Sequence, residues 1–281
     1  MERITREWVR RQLPRRRSDG HKGTFGKVYV LGGAVGYTGA PVYAAEAAVR
    51  SGAGLVYAGV PGEVYPIVAA RCAAAMARPI PRTYKELLAE MAGCDVWVVG
   101  PGLGRAARTE RTVCSLLEDL EGPVVLDADG INAAAAHIDV LKGRRFPTVL
   151  TPHEGEFIRL GGDLSRGREG AAADFAARHG CVLVLKGPET VVADPDGRLL
   201  VNTTGNSGMA KGGSGDVLSG MIAALIGQGA PPFAAAACAV WLHGRAGDLC
   251  AGRLTKYAMT PLDMIEGLPA AFADLEAGEI S

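Results

Sequence analysis

Short apolar runs alternate along the chain with alanine-rich stretches in which apolar residues recur every three or four positions. The runs predict strands, and the stretches predict helices. The strand candidates are Lys27–Leu31, Leu55–Val60, Val96–Val99, Pro123–Asp127, Thr148–Thr151 and Cys181–Leu185. The clearest helix candidates are Gly39–Ser51, Ala106–Asp119 and Gly167–Gly180. Near-continuous apolar strands separated by helices predict an α/β fold, with a mostly parallel central sheet and helices on both faces.

The pattern changes after the sixth of these strands. Two β-rich runs, Thr190–Ala193 and Arg198–Asn202, flank the turn sequence Asp194–Gly197 and predict a hairpin. The remainder is helical, with one helix ending near Gly227 and the next starting at Pro231-Pro232. No repeat, low-complexity tract or linker interrupts the chain, so we expect a single domain over residues 1–281. A basic arm at residues 1–20 precedes the strand at Lys27.

The bulk composition excludes several classes of protein. Lys+Arg and Asp+Glu both number 30, and this zero net charge argues against a nucleic-acid-binding protein. The arginines of the leader could contact phosphate or anionic lipid, but we interpret them as a solvated arm. The amino terminus has no signal region, and no apolar run approaches the ~20 residues of a membrane helix. None of the six cysteines has zinc-type or redox-type spacing. We therefore expect a cytoplasmic protein that binds neither nucleic acid nor membrane.

Polar or glycine-rich segments follow the carboxyl ends of most predicted strands. They are Gly32–Ala40, Gly100–Gly104, Asp127–Asn132, Thr151–Glu156 and Lys186-Gly187. The connections at the opposite ends, such as Glu121-Gly122 and His179-Gly180, are short and plain. Because ligands of open α/β sheets bind at the carboxyl edge, these segments predict the functional site.

The most specific segment is Asn206–Asp216, in which four glycines lead into a helix. Glycines let backbone N–H groups turn around an anion, and the helix adds free N–H groups and a positive dipole end. Asp216 is unexpected there, because a carboxylate repels phosphate. Asp is a common first-turn residue, but beside a phosphate it is better explained as a base acting on a hydroxyl. The P-loop, Rossmann and protein-kinase signatures are all absent from the sequence.

Together these segments resemble the ribokinase-like superfamily and, within it, the NAD(P)H-hydrate dehydratases. Gly-Tyr-Thr-Gly-Ala, Gly-Pro-Gly-Leu-Gly, Asp-Ala-Asp-Gly, Thr-Pro-His-x-Gly-Glu and Gly-Asn-x-Gly-Met-Ala…Gly-x-Gly-Asp appear in family order between about His21 and His243. Thr204–Ala210 separates this family from the sugar and vitamin-precursor kinases. The resemblance implies a repair enzyme that phosphorylates the ring hydroxyl of hydrated NADH or NADPH and then releases phosphate. ADP or ATP is the implied donor, with ADP preferred, and Mg²⁺ the implied cofactor.

The resemblance also implies residue roles. Asp216 would take the hydroxyl proton and, with Ala40, Gly104 and His153, contact the hydrated dinucleotide. Gly213, Ser214 and Gly215 would stabilise the transferring phosphoryl group with backbone N–H donors. The donor nucleotide would bind at Lys186, Gly187, Pro188, Glu189 and Thr190. Glu156 would organise the metal through water.

Several of these residues have plainer explanations. His153 could simply start a helix, Lys186 could be an ordinary lysine that ends a strand, and Glu156 could be a first-turn acid that interacts with the helix dipole. One departure from the family pattern is Glu154, which stands where the family usually has proline. This extra acid either weakens donor binding or faces solvent.

The resemblance further implies a homotetramer and a functional partner, an NAD(P)H-hydrate epimerase on a separate chain, because the first predicted strand begins near Lys27. This enzyme would then act on the S epimer alone. The main alternative is a kinase of a thiazole or pyrimidine alcohol that releases its phosphorylated product. A nucleotide-binding regulator without catalysis is a third possibility, and the intact glycine run with Asp216 argues against it.

Overall fold

A computed structural model of the protein describes residues 2–276. Residue 1 and residues 277–281 of the predicted 1–281 domain lie outside the described residues. The strands are, in chain order, β1 (Glu2–Arg3), β2 (Lys27–Leu31), β3 (Leu55–Val60), β4 (Met76–Pro79), β5 (Val96–Val99), β6 (Val124–Leu126), β7 (Thr148–Leu150), β8 (Val182–Leu185), β9 (Val191–Ala193) and β10 (Leu199–Val201).

The helices alternate with these strands along most of the chain. They are α1 (Arg6–Gln12), α2 (Gly39–Arg50), α3 (Tyr65–Arg71), α4 (Tyr84–Met91), α5 (Ala107–Asp119), α6 (Asp129–Ala134), α7 (Val140–Gly143), α8 (Glu154–Arg159), α9 (Arg168–His179), α10 (Ser214–Gly227), α11 (Pro232–Ala258) and α12 (Pro261–Glu276). Short 3₁₀ turns lie at Ala135–His137 and Ser207–Met209.

All ten described strands form one sheet in the order β1-β10-β9-β8-β7-β6-β5-β2-β3-β4. The pairs from β8 through β4 are parallel, as is the pair β1–β10, and only β9 runs antiparallel to its neighbours. The predicted parallel sheet and the hairpin of β9 and β10 are therefore confirmed. The predicted strands and helices agree with the observed bounds to within one residue at each end.

Alternate residues of each central strand face two separate cores. Val28 and Val30 of β2 lie in one apolar cluster with residues of α2, α10 and α11. Tyr29 and Leu31 lie in the other cluster, with residues of α5, α8 and α9. Because both sides of a strand are buried, the strands need apolar residues at nearly every position. The helices accordingly cover both faces of the sheet, as predicted.

The expectation of a solvated arm before the first strand is correct for its exposed arginines but wrong for the segment as a whole, which is part of the folded domain. Glu2 and Arg3 form β1, which pairs in parallel with β10 at the edge of the sheet. Ile4 and Val9 are fully buried, and Val9 lies on α1 in the core against α11. The arginines hid this signal, although Trp8 and Leu13 also pack, partly buried, against the same core. The edge strand β4 was also missed: Met76–Pro79 is short and only partly buried.

A close helix contact fixes the start of α10 over the sheet. Gly220 of α10 packs so tightly on α2 that an added Cβ would overlap the carbonyl oxygen of Ala44. Only glycine permits this approach, and it brings the amino end of α10 beside the amino end of α2. Within the described chain, no helix is both long and apolar enough to cross a membrane.

Candidate active site

The carboxyl ends of three adjacent strands bring together a partly buried cation and a buried carboxylate. Asp127 follows β6, Thr151 follows β7 and Lys186 follows β8. The Oδ1 atom of Asp127 accepts a hydrogen bond of 2.7 Å from the Thr151 hydroxyl and one of 3.1 Å from the Lys186 ammonium. The Asp127 side chain is 1% exposed and that of Lys186 is 22% exposed. The parallel register therefore creates a shielded ion pair at the predicted edge of the sheet.

The ammonium of Lys186 faces further carboxylates. Its Nζ atom lies 3.9 Å from the Oε2 atom of Glu156. Burial alone would lower the pKa of Lys186, but the carboxylates of Asp127 and Glu156 outweigh it and hold this pKa above its ordinary value. Lys186 therefore stays protonated. It is not an ordinary lysine at the end of a strand, because its charge offsets the negative charge of the site.

His153 and Glu156 cap the amino end of α8 reciprocally. The Nδ1 atom of His153 accepts from the Glu156 N–H at 3.2 Å, and the Oε2 atom of Glu156 accepts from the His153 N–H at 2.9 Å. His153 therefore starts a helix and Glu156 lies in its first turn, as their plainer explanations predicted. The His153 side chain remains 55% exposed, however, and the Glu156 side chain is 7% exposed and faces Lys186. The Nε2 atom of His153 lies 3.6 Å from the Oε1 atom of Glu156, and the exposed part of the ring faces solvent.

The glycine-rich segment ends at the first turn of α10. Gly213 has φ of 104°, which a residue with a side chain rarely adopts, and an added Cβ would lie 2.7 Å from the Tyr43 ring. A Cβ on Gly215 would instead lie 3.1 Å from the Lys186 ammonium and 3.9 Å from Oδ2 of Asp127. Gly213 is thus needed for backbone shape and packing. Gly215 keeps open the space between α10 and Lys186.

Free backbone donors surround this space. Within residues 2–276, the N–H groups of Gly213, Gly215 and Asp216 donate to no protein acceptor. They lie at the positive end of α10, where an anion is favoured. Ser214 differs, since its N–H donates to the Lys211 carbonyl oxygen at 3.2 Å and its side chain is buried.

Asp216 lies beside these donors in the first turn of α10. Burial raises the pKa of Asp216 from its ordinary 3.8 to about 7, and the negative charge of Asp127 adds to the rise while Lys186 opposes it. A carboxylate with a pKa near neutrality can accept a proton with useful driving force and still be substantially ionised at neutral pH. Next to free N–H groups, this is the chemistry expected of a general base that acts beside a phosphate.

Ala128 lies between two aspartates, Asp127 and Asp129, whose carboxylates bind different partners. Its φ of 48° and ψ of −114° are unusual for a residue with a side chain. This backbone sends Asp127 to Lys186 and lets the Oδ2 atom of Asp129 accept a hydrogen bond of 2.8 Å from the N–H of Gly104. The loop of Gly104 also approaches Ala40: a Cβ on Gly102 would lie 3.2 Å from the Ala40 Cβ. The loop of Gly104 therefore lies beside Ala40, which is in the first turn of α2, at the carboxyl edge.

The segment Lys186–Thr190 turns sharply between β8 and β9. The Thr190 hydroxyl donates to the Gly187 carbonyl oxygen at 3.0 Å and accepts from the Gly187 N–H at 3.3 Å. Pro188 and Glu189 form the exposed tip, and Glu189 lies 3.8 Å from Arg3. The turn is thus one exposed face of the site. The structure brings Lys186 to Asp216, while Glu189 faces outward.

The extra acid Glu154 is neutralised locally. Its carboxylate forms an ion pair with Arg168, whose guanidinium also donates to the Leu185 carbonyl oxygen at 2.9 Å. Arg168 packs against Gly187 as well, since an added Cβ there would overlap the guanidinium. Glu154 is half-exposed and paired with Arg168, so its negative charge repels a phosphate at the donor segment less than an unpaired carboxylate would.

The sequence analysis placed Asp127 and Thr151 in segments of the predicted site without giving either a role, and it did not include His243. Asp127 and Lys186 are 59 residues apart, and no local pattern links them. The available signal was that Asp127 is a charged residue ending a buried strand. His243 of α11 is 8% exposed, and burial lowers its pKa to about 4, so it is neutral at physiological pH. Within the described chain its Nε2 atom has no hydrogen-bond partner.

The described residues contain no group of three or more His, Cys, Asp or Glu side chains arranged to hold a metal ion. The Lys186 ammonium already lies between Asp127 and Glu156, where a directly bound cation would compete with it. Glu156 is further engaged by the His153 N–H. This donor set fits a Mg²⁺ ion held mainly by nucleotide phosphates and water, with Glu156 reaching it through water, and not an ion held by the protein alone.

Comparison with known proteins places these features in one family. A sequence model of the NAD(P)H-hydrate dehydratase family matches residues 28–270. A bifunctional NAD(P)H-hydrate repair enzyme of Moorella thermoacetica is 44% identical over 97% of this chain and 54% of its own length. An ADP-dependent (S)-NAD(P)H-hydrate dehydratase of Neisseria meningitidis is 40% identical over 83% of this chain and 80% of its own. The chain thus spans about half the length of the bifunctional relative.

Solved structures agree with the sequence comparison. The ADP/ATP-dependent NAD(P)H-hydrate dehydratase of Bacillus subtilis, co-crystallised with ATP and Mg²⁺, superposes with a TM-score of 0.83. It is 31% identical, and the match covers 98% of each chain. A hydroxyethylthiazole kinase of Pyrococcus horikoshii has a TM-score of 0.63 at 15% identity, which is a likeness of fold alone.

Proposed function

The chain belongs to the NAD(P)H-hydrate dehydratase family, and from this premise we propose that it uses ADP or ATP to dehydrate the S epimer of hydrated NADH and NADPH. The products are NADH or NADPH, inorganic phosphate, and AMP or ADP. The observation that carries the proposal is the position of Asp216, whose pKa of about 7 suits a base, beside free N–H groups at the start of α10. A relative named as an ADP-dependent (S)-NAD(P)H-hydrate dehydratase and another named as a bifunctional NAD(P)H-hydrate repair enzyme support the same assignment.

In the first step Asp216 takes the proton of the ring hydroxyl as its oxygen attacks the terminal phosphorus of the donor. The new O–P bond forms as the bond to the leaving nucleotide breaks, and AMP or ADP departs with the electron pair. The backbone N–H groups of Gly213 and Gly215 donate hydrogen bonds to the oxygens of the phosphoryl group as it is transferred. The Lys186 ammonium faces Gly215 across this space and offsets the charge of the phosphates.

In the second step phosphate leaves the ring carbon. The C–O bond breaks with its electron pair on phosphate, the departing phosphate takes up a proton from the neighbouring carbon, and the electron pair of that C–H bond restores the ring double bond. Phosphorylation makes this elimination easier, because phosphate is a better leaving group than hydroxide. Ala40, Gly104 and His153 hold the dinucleotide so that its ring faces Asp216.

The donor nucleotide binds at the turn Lys186–Thr190, which includes Gly187, Pro188 and Glu189. Bound Mg²⁺ would neutralise phosphate charge, and Glu156 would hold its water shell. Free N–H groups at α10 and the adjacent cation Lys186 support this placement of the phosphates. Ser214 contributes less than its neighbours, because its N–H already donates to Lys211.

The cellular setting is part of the same proposal. The six cysteines are free thiols, which suits a reducing compartment, and we place the enzyme in the cytoplasm. An epimerase on a separate chain would supply the S epimer from the R epimer. We also propose a homotetramer, which size-exclusion chromatography with light scattering would test.

The decisive experiment mixes hydrated NADPH and Mg²⁺ with enzyme and either ADP or ATP. Recovery of the absorbance band of reduced nicotinamide is expected, with a higher kcat/KM for ADP. Product analysis separates the alternative, because a thiazole or pyrimidine alcohol kinase would accumulate a phosphate ester and no free phosphate. A lasting phosphorylated dinucleotide, with no recovery of absorbance, would overturn the dehydratase assignment.

A further inference from the structure

A cavity of about 510 Å³ opens at the carboxyl ends of β2, β3 and β4, away from Lys186 and Asp216. Its walls are largely apolar and include Pro61, Ile80, Pro81 and Leu103. Ligand-binding cavities generally measure about 300–1,000 Å³, have apolar walls and carry few polar groups. The cavity is therefore large enough for a nucleoside, and its apolar walls suit the faces of a base.

The charge of this cavity is one-sided. Arg82 and Arg108 are its only charged lining residues in the described chain, and no acid lines it, although the whole sequence has no net charge. A guanidinium nitrogen of Arg108 donates to the Arg82 carbonyl oxygen at 3.2 Å, which holds Arg108 beside Arg82. Two guanidinium groups with no acid beside them suit a phosphate, which they can bind through paired N–H donors. The cavity thus fits an apolar body with an anionic group.

The cavity adjoins the loops of the proposed dinucleotide site. Gly33, which lines it, donates its N–H to the Pro101 carbonyl oxygen at 2.8 Å. Leu103 of its wall directly precedes Gly104, one of the proposed substrate contacts. A second cavity of about 190 Å³ is lined by Gly104 and Asp129, and shares Ala106 and Thr109 with the first. A ligand that reaches Asp216 with one end can therefore extend along these loops into the larger cavity.

We propose that this cavity receives the adenosine end of the hydrated dinucleotide, and that Arg82 and Arg108 bind the 2′-phosphate which distinguishes hydrated NADPH from hydrated NADH. This rests on the proposed function. Adenosine lies at the opposite end of the dinucleotide from the reacting ring, as the cavity lies at the opposite end of the site from Lys186. The donor also carries adenosine, but its segment joins β8 and β9 on the other side of Asp216. The arginines accordingly favour the phosphorylated substrate.

The test uses Arg82→Ala and Arg108→Ala, with Arg111→Ala as the matched control. Arg111 lies on α5 like Arg108, is exposed and does not line the cavity. Loss of one charged hydrogen bond to phosphate should raise KM for hydrated NADPH about 10- to 100-fold. KM for hydrated NADH, KM for ADP and kcat should change little. An unchanged preference between the two dinucleotides in both variants would overturn the role of the arginines, and a raised KM for ADP would assign the cavity to the donor.

A second variant separates shape from charge. Thr112 lines the cavity from α5, and Thr112→Phe should fill part of it and raise KM for both dinucleotides while the circular dichroism spectrum stays unchanged. An unchanged KM for both would mean that the adenosine lies elsewhere.

Calorimetry with 2′-phospho-ADP-ribose measures ligand binding at the cavity independently of catalysis. If the enzyme binds this probe, loses that binding in Arg108→Ala, and yet shows no dehydration, the subsite stands and only the proposed function is rejected. If the enzyme dehydrates the substrate but binds 2′-phospho-ADP-ribose and ADP-ribose with equal affinity, only the subsite is rejected.

Discussion

The ammonium of Lys186 lies 3.1 Å from the Oδ1 atom of Asp127, whose side chain is 1% exposed. The two residues end the strands β8 and β6, with β7 between them. A shielded pair of this kind adds little net stability, since both ions lose their hydration, but removing one partner leaves the other uncompensated. The pair therefore sets the charge balance in which Asp216 works.

Substitution of Lys186 should reveal this balance as a pH-dependent loss of stability. Lys186→Met leaves the carboxylates of Asp127 and Glu156 without their cation. It also removes the charge that opposes the raised pKa of Asp216, so this pKa rises further above its unfolded value. The folded variant then binds more protons than the unfolded chain, and its stability falls as pH rises. Thermal melts should show a loss of about 3–5 kcal/mol at high pH and a smaller loss near about pH 4.

Lys142→Met is the control for the Lys186 variant. Its ammonium lies 2.7 Å from Asp139, but the two side chains are 49% and 77% exposed. An exposed pair of this kind contributes about 0–1 kcal/mol. Equal losses for Lys186→Met at both pH values would mean that its charge does not compensate the carboxylates.

The activity should depend on the ionisation of Asp216. A base must be deprotonated, so kcat/KM should rise with pH and level off above a midpoint near the pKa of about 7. Burial raises this pKa first, Asp127 second, and Asp129 and Glu156 add to the rise against Lys186. Asp127→Asn should therefore move the midpoint to lower pH, even where kcat itself falls. A midpoint that does not move in Asp127→Asn would contradict the coupling.

Gly215→Val should remove activity without unfolding the protein. Gly215 lies in the first turn of α10, and a Cβ would enter the space 3.1 Å from the Lys186 ammonium that the phosphoryl group is proposed to occupy. Turnover should fall to background, while the far-ultraviolet circular dichroism spectrum stays close to wild type. Gly252→Val in α11 is the control, because an added Cβ there meets nothing within 4 Å. Retained turnover in Gly215→Val would mean that this space is not the phosphoryl site.

The apolar pattern of the sequence was sufficient to predict the buried central strands but not the strands at the edges of the sheet. β2 and β5 read as strands because both of their faces are apolar, whereas β1 and β4 are short edge strands with weak patterns. At the site, the glycines and Asp216 were recognisable because they are adjacent in sequence. The pairing of Asp127 with Lys186 depends on strand order, which no local pattern encodes.

Backbone conformation was equally invisible in the sequence. Ala128 has φ of 48°, a value that its residue type does not suggest, and this conformation directs Asp127 and Asp129 to different partners. The roles proposed for His153 and Glu156 stay predictions, because the capping hydrogen bonds between them are compatible with a structural role as well.

Asp216→Asn is the sharpest test of the mechanism. Asn keeps the size of the side chain but cannot take the hydroxyl proton as a carboxylate does. Loss of a general base typically costs about 10²–10⁴-fold in rate, so kcat should fall by that amount while ADP and hydrated dinucleotide still bind. Asp196→Asn, in the exposed turn of the hairpin, makes the same change away from the site and should leave kcat unchanged.

Stability supplies an independent reading of the same Asp216 variant. The folded-state pKa of Asp216 is raised from its ordinary 3.8 to about 7, so between these pH values the folded wild type retains a proton that the unfolded chain has lost. Stability therefore falls as pH rises through this window, and the full cost is present above it. Asn removes this cost. The variant should therefore melt above wild type at alkaline pH, and the difference should vanish at acidic pH. A kcat loss smaller than about tenfold would place the base elsewhere. Loss of ADP binding together with kcat would instead make Asp216 a residue that holds ligand.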